Sequence, residues 1–477
     1  MNVKLERTFA DELSGLYQPA PPGGFPEPQL LWFNEQLASS LGLDGLAERA
    51  AQVFSGNERL EGSEPIALAY AGHQFGSFNP QLGDGRAVLL GEVVNGQGRR
   101  FDLQLKGSGA TFFSRGGDGK AGLGPVLREA LVSEAMFHLG IPTTRVLAAV
   151  STGEWIQREQ ALPGAVLCRV AASHLRIGSV QFLGYRGQLE LTQQLVHYTL
   201  ARHFPESTPT DRPAATLLRE VALSQAELIA QWMAVGFVHG VMNTDNMTLS
   251  GETIDYGPCA FLDVYDQDAV FSSIDRGGRY AYKNQPLIGK WNIARLAEAL
   301  LPLLGEGEAA AVEAAQQVLT DYQNHYNEQM LVRMRAKLGL RDARQGDQDL
   351  VAEFLGFLQE SAADFTSTFR TLAHDLSEFG APQWGPMGQE LADRYLARLG
   401  GESLAQVAAR MNQVNPKYIP RNHRVEEVLA AAHRGDLEPF HAFSRVLALP
   451  YDEQPEQEKY AEPAPPGFGP YRTFCGT

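Results

Sequence analysis

The stretch Phe237 to Gly257, FVHGVMNTDNMTLSGETIDYG, decides how the rest of the chain is read. It sets His239 seven residues before Asn246, and Asp255, Tyr256 and Gly257 begin nine residues after that Asn. Asn246 and Asp255 offer two hard oxygen ligands at a spacing that suits Mg²⁺ or Mn²⁺. Asp245, next to Asn246, reads either as a general base or as a group supporting the metal ligands. His239 reads as a residue that fixes the loop rather than as a proton carrier. Two residues after it stands Val241, an apolar side chain beside an otherwise complete metal site.

The order of these residues resembles the catalytic and metal-binding loops of the protein-kinase superfamily, where His-x-Asp-x-x-x-x-Asn is followed by Asp-Phe-Gly. The departure is Val241, which stands where a kinase carries its catalytic Asp.

Upstream of the loop the texture is that of a small antiparallel sheet. Ala87 to Val94 reads as one strand, Asn95-Gly96 as a turn, and Arg100 to Lys106 as the returning strand. In the second strand Phe101, Leu103 and Leu105 alternate with Asp102, Gln104 and Lys106, so the lysine is expected on a polar face at the strand's end. Pro125 to Leu139 reads as a helix, and Arg145 to Val150 and Ala165 to Val170 as further strands. Before the sheet, a helix is expected from Leu30 to Leu41.

From residue 190 the pattern is mostly helical, with Ala214 to Phe237 delivering the chain into the His239 loop, then helices near Ile293 to Leu304 and Ala309 to Leu338. The expected architecture is α+β, a bilobal protein-kinase-like fold with a β-rich N-lobe, a helical C-lobe and N- and C-terminal extensions. Residues 1–65 are an extension packed on the core, 66–185 the N-lobe with nucleotide-binding loops, and 186–450 the C-lobe with the catalytic and metal loops. Residues 451–477, rich in Pro and charge, form a flexible or surface-draped tail.

The composition excludes several classes of function. Of 477 residues, 44% are apolar and 20% charged, which is ordinary for a folded protein. A net charge of -16, from 40 basic and 56 acidic residues, argues against a nucleic-acid backbone or an anionic membrane as principal partner. The N-terminus lacks the apolar core of a signal peptide, and there is no run of roughly 18 apolar residues to span a bilayer, so a cytoplasmic location is expected; a monomer is the expected state, with nothing in the sequence to fix it. Cys168, Cys259 and Cys475 are too scattered for a zinc site or a disulfide framework.

Four further groups carry candidate chemistry. Gln81 to Arg86, QLGDGR, is either a plain turn or a loop whose backbone N–H groups approach phosphates, with Arg86 adding charge. Lys106 lies where a kinase keeps the lysine that holds nucleotide phosphates, and Glu129, 23 residues on, is placed to pair with it. Gly107 to Gly124, with seven glycines and with Arg115, Asp118 and Lys120, is either disordered or a second phosphate-facing surface. Arg169 and Arg176 are either solvated or poised to bind a polyphosphate bidentately.

The motifs LGDGR at 82–86, LKGSG at 105–109, RGGDGKAGLGPVLREAL at 115–131, HGVMNTDNM at 239–247, IDYGP at 254–258 and NPKYIPRN at 415–422 together resemble the selenoprotein O family over nearly the whole chain. The resemblance implies a pseudokinase fold that transfers AMP, not phosphate, from ATP to Ser, Thr or Tyr hydroxyls of protein substrates, with release of pyrophosphate. Gly83, Gly85, Arg86, Lys106, Asp118, Gly119, Arg169, Arg176 and Asp255 would then contact an inverted ATP, and Glu129 would orient Lys106. Asn246 and Asp255 would hold Mg²⁺ or Mn²⁺, and Asp245 would accept the proton. It also offers an account of Val241, since a base placed for γ-phosphoryl transfer is in the wrong place for attack on the α-phosphorus. Many eukaryotic relatives carry selenocysteine near the C-terminus, where this chain has Cys475, read here as a spectator thiol or as one end of a redox bridge. A γ-phosphoryl kinase and a non-catalytic nucleotide-binding scaffold are the competing readings.

Overall fold

Ala87–Val94 and Arg100–Lys106 pair antiparallel, with Ala87 opposite Lys106 and Val94 opposite Arg100. The turn between them closes because Asn95 Oδ1 accepts from the backbone N–H groups of Gln97 and Arg99. In the computed structural model, which describes residues 3–474, this pair is the middle of an antiparallel sheet. Its order is Tyr17–Pro19, Ile66–Leu68, Ala87–Val94, Arg100–Lys106, Ala161–Ala171, Arg145–Gln157 and Gln29–Phe33, with Ala121–Gly122 alongside Ala161–Ala171. Both outermost strands come from the first 33 residues, so the N-terminal segment completes the sheet at its two edges.

The segment expected as a helix from Leu30 to Leu41 is instead a strand, Gln29–Phe33, followed by a helix, Glu35–Leu41. A four-residue apolar run does not distinguish the two. Pairing with Ala148–Ser151 claims its backbone, and Asn34 then caps the helix by accepting from Leu37 N at 2.9 Å.

The polar face expected of the Lys106 strand is also covered. Asp102 and Gln104 are 1% and 0% exposed. The helix Leu189–His203 lies against this face and supplies Arg202 Nη2 at 2.5 Å from Asp102 Oδ1, while His174 Nδ1 is 3.0 Å from Asp102 Oδ2. Arg202 and His174 take the place of water around the Asp102 carboxylate. Behind the other face, Leu103, Leu105, Leu147 and Val166 pack on Leu37, Leu41, Val53 and Phe54 of the N-terminal helices.

The Glu129 helix runs Leu123–His138 and ends where Gly140 turns left-handed at φ 77°. Its apolar side packs on the sheet and on Val425, Leu429, Phe440 and Phe443 from the C-terminal helices Asn422–His433 and Glu438–Leu447.

The helical half is built around Pro213–Val235, which packs against Gln285–Leu300 and Glu308–Lys337. At its end Gly236 turns the chain at φ 73° into the short strand Phe237–Val238, paired with Ala260–Phe261. Trp232 on this helix donates its indole N–H to Thr253 Oγ1 at 2.9 Å and packs 5.4 Å from the His239 ring, so the long helix fixes the loop that follows it.

Past residue 450 the chain runs along this body. Tyr460 stacks on Phe443 at 4.9 Å, and Thr473 N donates to Phe271 O at 2.8 Å. Cys475 lies outside the described residues. Among the described residues no helix is long and apolar enough to cross a membrane.

Candidate active site

His239 anchors the loop that carries Asn246 to the loop that carries Asp255. Its ring is buried, Nε2 donates to Ile254 O at 2.9 Å, and Nδ1 accepts from Val241 N at 3.4 Å. Desolvation lowers its proton affinity, so the ring is neutral and spaces the two strands of loop. Asn246 donates Nδ2 to the Val241 carbonyl at 3.0 Å, which commits its nitrogen and leaves its oxygen as the available donor. Asp255, one residue past the His239 contact, is held at φ +63°, a conformation non-glycine residues adopt rarely and often at functional sites.

Three cations converge on Asp255. Lys106 Nζ lies 2.6 Å and Arg169 Nη1 2.8 Å from Oδ1, and Arg176 Nη1 lies 3.2 Å from Oδ2. Burial alone would raise the Asp255 pKa, but Lys106, Arg169 and Arg176 outweigh it and hold the carboxyl well below the usual range. Glu129 accepts from Lys106 at 2.7 Å and from Arg169 at 3.2 Å, so one helix residue positions both cations. Gln104 orients Arg169 from the strand next door, Oε1 to Nη2 2.8 Å.

Asp245 is 8% exposed. Gln74 Nε2 donates to its Oδ2 at 3.3 Å, and its Oδ1 is buried without a hydrogen-bond partner among the described residues. Burial, opposed by Arg176, pushes its pKa up to about 6.

These groups line one cleft of about 710 Å³ between the sheet and the helical half. Gly83, Gly85, Arg86, Lys106, Asp118, Gly119, Arg169, Arg176, Asp245, Asn246 and Asp255, all singled out from sequence, face it together, with Glu129 directly behind Lys106. Val241 lines it as well and presents no proton acceptor. Asp118 lies at the rim, exposed and held by both Nη atoms of Arg158, which keeps its carboxyl below the usual range.

The glycines are needed locally. Gly83 sits at φ +91° with the Phe113 ring where a Cβ would be, and Gly119 at φ +66° against the Gly109 carbonyl. Any side chain there would displace the loops that line the cleft.

Sequence reasoning missed Tyr70, Gln74, Asp84 and Arg158. Arg176 stacks over Tyr70 at 4.6 Å, and its Nη2 lies 3.6 Å from Asp84 Oδ1. Burial raises the Asp84 pKa against the pull of Arg176. Arg158 reaches the cleft from the tip of the hairpin Arg145–Gln157 and Ala161–Ala171, which is longer than the strand pattern indicated. Asp84 falls inside the quoted LGDGR motif. The other three carried no local signal.

Among the described residues there is no cluster of three or more His, Cys, Asp or Glu placed to cage a metal. The donors present, the Asp255 carboxylate and the Asn246 amide oxygen, fit a hard cation that completes its shell with water and phosphate oxygens, as Mg²⁺ commonly does.

Comparison with known proteins agrees with this geometry. The family profile described as "Protein adenylyltransferase SelO" matches residues 1–448. A protein of Cereibacter sphaeroides named protein nucleotidyltransferase YdiU is 53% identical over 481 residues, covering 100% of both chains. Proteins of the same name from Geobacillus kaustophilus, 53% identical over 482 residues, and Agrobacterium fabrum, 50% identical over 489 residues, cover 99% and 100% of both chains respectively.

Proposed function

The chain belongs to the SelO protein adenylyltransferase family and is an enzyme of the nucleotidyltransferase class, and from that premise we propose how its residues divide the work. The reaction is transfer of AMP from ATP to a Ser, Thr or Tyr hydroxyl of a protein substrate. The hydroxyl oxygen forms a bond to the α-phosphorus, the bond from that phosphorus to the bridging oxygen of the β-phosphate breaks, and pyrophosphate leaves.

Asp245 takes the hydroxyl proton. Its Oδ1 has no partner of its own, and a carboxyl with a pKa near 6 is ionised at neutral pH yet basic enough to share a proton. Asn246 and Asp255 would hold the divalent ion, Mg²⁺ or Mn²⁺, which when bound neutralises phosphate charge. Lys106, Arg169 and Arg176 supply fixed positive charge for the triphosphate, and Glu129 keeps Lys106 and Arg169 in place. Gly83, Gly85, Arg86, Asp118 and Gly119 line the walls against which the nucleotide lies.

The observation that carries this reading is the convergence of Lys106, Arg169 and Arg176 on Asp255 while the kinase base position holds Val241. A cleft so charged suits a departing pyrophosphate.

Intact-mass analysis of an acceptor protein after incubation with ATP tests it. A mass increase of one AMP, with pyrophosphate and not ADP as co-product, is expected. An increase of one phosphate with ADP would replace this reading by a kinase.

A further inference from the structure

The wall of the cleft beside Asp245 is a two-stranded hairpin, Gly72–Gln74 with Ser77–Asn79. It is fastened to the catalytic loop: His73 N donates to Thr244 Oγ1 at 2.7 Å, Phe75 N to Asn243 Oδ1 at 3.1 Å, and Gln74 Nε2 to Asp245 Oδ2 at 3.3 Å. Gly72 lies so close to Asp245 that a Cβ would meet its carboxylate at 2.6 Å. Whatever presents a hydroxyl to Asp245 therefore passes this hairpin.

Outward from Asp245 the surface is aromatic and basic. Phe75 is 37% exposed and Ile274 52%, both at the cleft mouth. His73 packs between Phe78 at 4.8 Å and Trp291 at 5.2 Å. The Arg279 guanidinium lies 4.7 Å over Trp291, its Nε is without a hydrogen-bond partner, and no carboxylate ion-pairs with it among the described residues. Asp275, the carboxylate nearest in sequence, is taken up by the backbone N–H groups of Arg279 and Tyr280. Arg186, at the other end of the hairpin, donates to the Pro80 and Phe182 carbonyls and also has no carboxylate partner among the described residues. In a chain of net charge -16, guanidinium groups without carboxylate partners among the described residues flank this hairpin on both sides and give the cleft mouth local positive charge.

We propose that this face, from Phe75 and Ile274 to Arg279, Trp291 and Arg186, is where the protein substrate docks, and that it selects hydroxyl-bearing segments flanked by acidic residues. The assignment rests on the AMP-transfer reading for the identity of the occupant. An exposed Phe beside a half-buried Trp capped by Arg is the kind of side-chain set that dominates protein interfaces, and charge complementarity sets register and partner choice.

Two measurements on the full chain test it. In the first, fluorescence anisotropy reports binding of peptides with one central serine, threonine or tyrosine flanked by glutamates or by lysines. The glutamate peptide is expected to bind more tightly, and Arg279→Glu and Arg186→Glu each to weaken it, about tenfold when combined. Equal binding of the two peptides, or variants that bind like the parent, overturns the proposal, as does a single-stranded oligonucleotide displacing the glutamate peptide at equal concentration.

In the second, steady-state AMP transfer at saturating ATP should show the acceptor KM raised in the variants with kcat and the KM for ATP unchanged. A fall in kcat with the acceptor KM unchanged would contradict docking. If the glutamate peptide binds through Arg279 and Arg186 but receives no AMP, the docking face stands and the AMP-transfer reading fails. Arg186 is exposed, so its variant guards against an Arg279 substitution that unfolds the loop.

Discussion

Lys106 and Asp255 touch directly, Nζ to Oδ1 2.6 Å, although they are 149 residues apart and belong to opposite lobes. The contact ties the sheet to the loop that carries Asp255 and sets the lysine's charge inside the cleft. Replacing Lys106 by Met keeps the stem and removes the charge. AMP transfer is expected to fall roughly a hundredfold or more in kcat/KM, with the melting temperature little changed because Arg169 and Arg176 still neutralise Asp255. Activity within threefold of the parent would remove Lys106 from the site.

The pH dependence follows from Asp245. With its pKa near 6, the ionised base disappears as pH falls through that value, so kcat/KM should decline on the acid side of about 6. Asp245→Asn should remove that limb and lower kcat by about 10²–10⁴-fold. The stability effect has the opposite sense. A carboxyl whose folded pKa exceeds its unfolded one binds its proton more tightly when folded, so folding is penalised as pH rises from 3.8 to about 6 and fully above it. Asp245→Asn should therefore melt higher than the parent at pH 7, read by calorimetry.

Much of this site is legible in the sequence. Asn246 and Asp255 stand in one short motif, and Lys106 and Glu129 fall at the end of an alternating strand and on the next helix, so spacing finds them. The rest is a matter of long-range packing. Gln74 meets Asp245 across 171 residues, and Arg158 meets Asp118 across 40, through a hairpin tip whose length no local pattern announces. The error at Leu30 to Phe33 has a similar origin. That run is a strand because the edge at Ala148–Ser151 is there to receive it. The buried Asp102 shows the limit of alternation as a guide, since a polar face reads as solvent-facing until the helix carrying Arg202 covers it.

In the NPKYIPRN motif, Arg421 is fully buried and donates to Asp364 at 2.6 and 2.9 Å, to Asp263 at 3.0 Å and to Ser367 at 2.9 Å. Arg421→Met leaves the partly buried carboxylates of Asp263 and Asp364 facing each other without their shared cation. A loss of about 2–3 kcal/mol is expected, below the range for a fully buried pair because both acids keep some contact with solvent, seen as a lower denaturant midpoint. A midpoint unchanged from the parent would show that solvent and Ser367 suffice to hold the two acids without Arg421.

Lys337 is 5% exposed, with its ammonium 3.9 Å over the Phe369 ring. Desolvation lowers its pKa to about 7. Between that value and the unfolded 10.5 the unfolded chain holds a proton that the folded chain does not, so this group makes the protein more stable as pH rises from 7 and most destabilising below it. Lys337→Met should raise the melting temperature at pH 7, and the gain should shrink by pH 10. An equal gain at both values would mean that the ammonium is not desolvated.

The most direct test of the account uses ATP labelled at either the α- or the γ-phosphate, incubated with the protein, Mg²⁺ or Mn²⁺ and an acceptor, with Asp255→Ala as control. Label on protein from the α-position alone, absent in the control, is the predicted result. Label from the γ-position alone would contradict it, because the groups gathered around Asp255 would then be serving phosphoryl transfer.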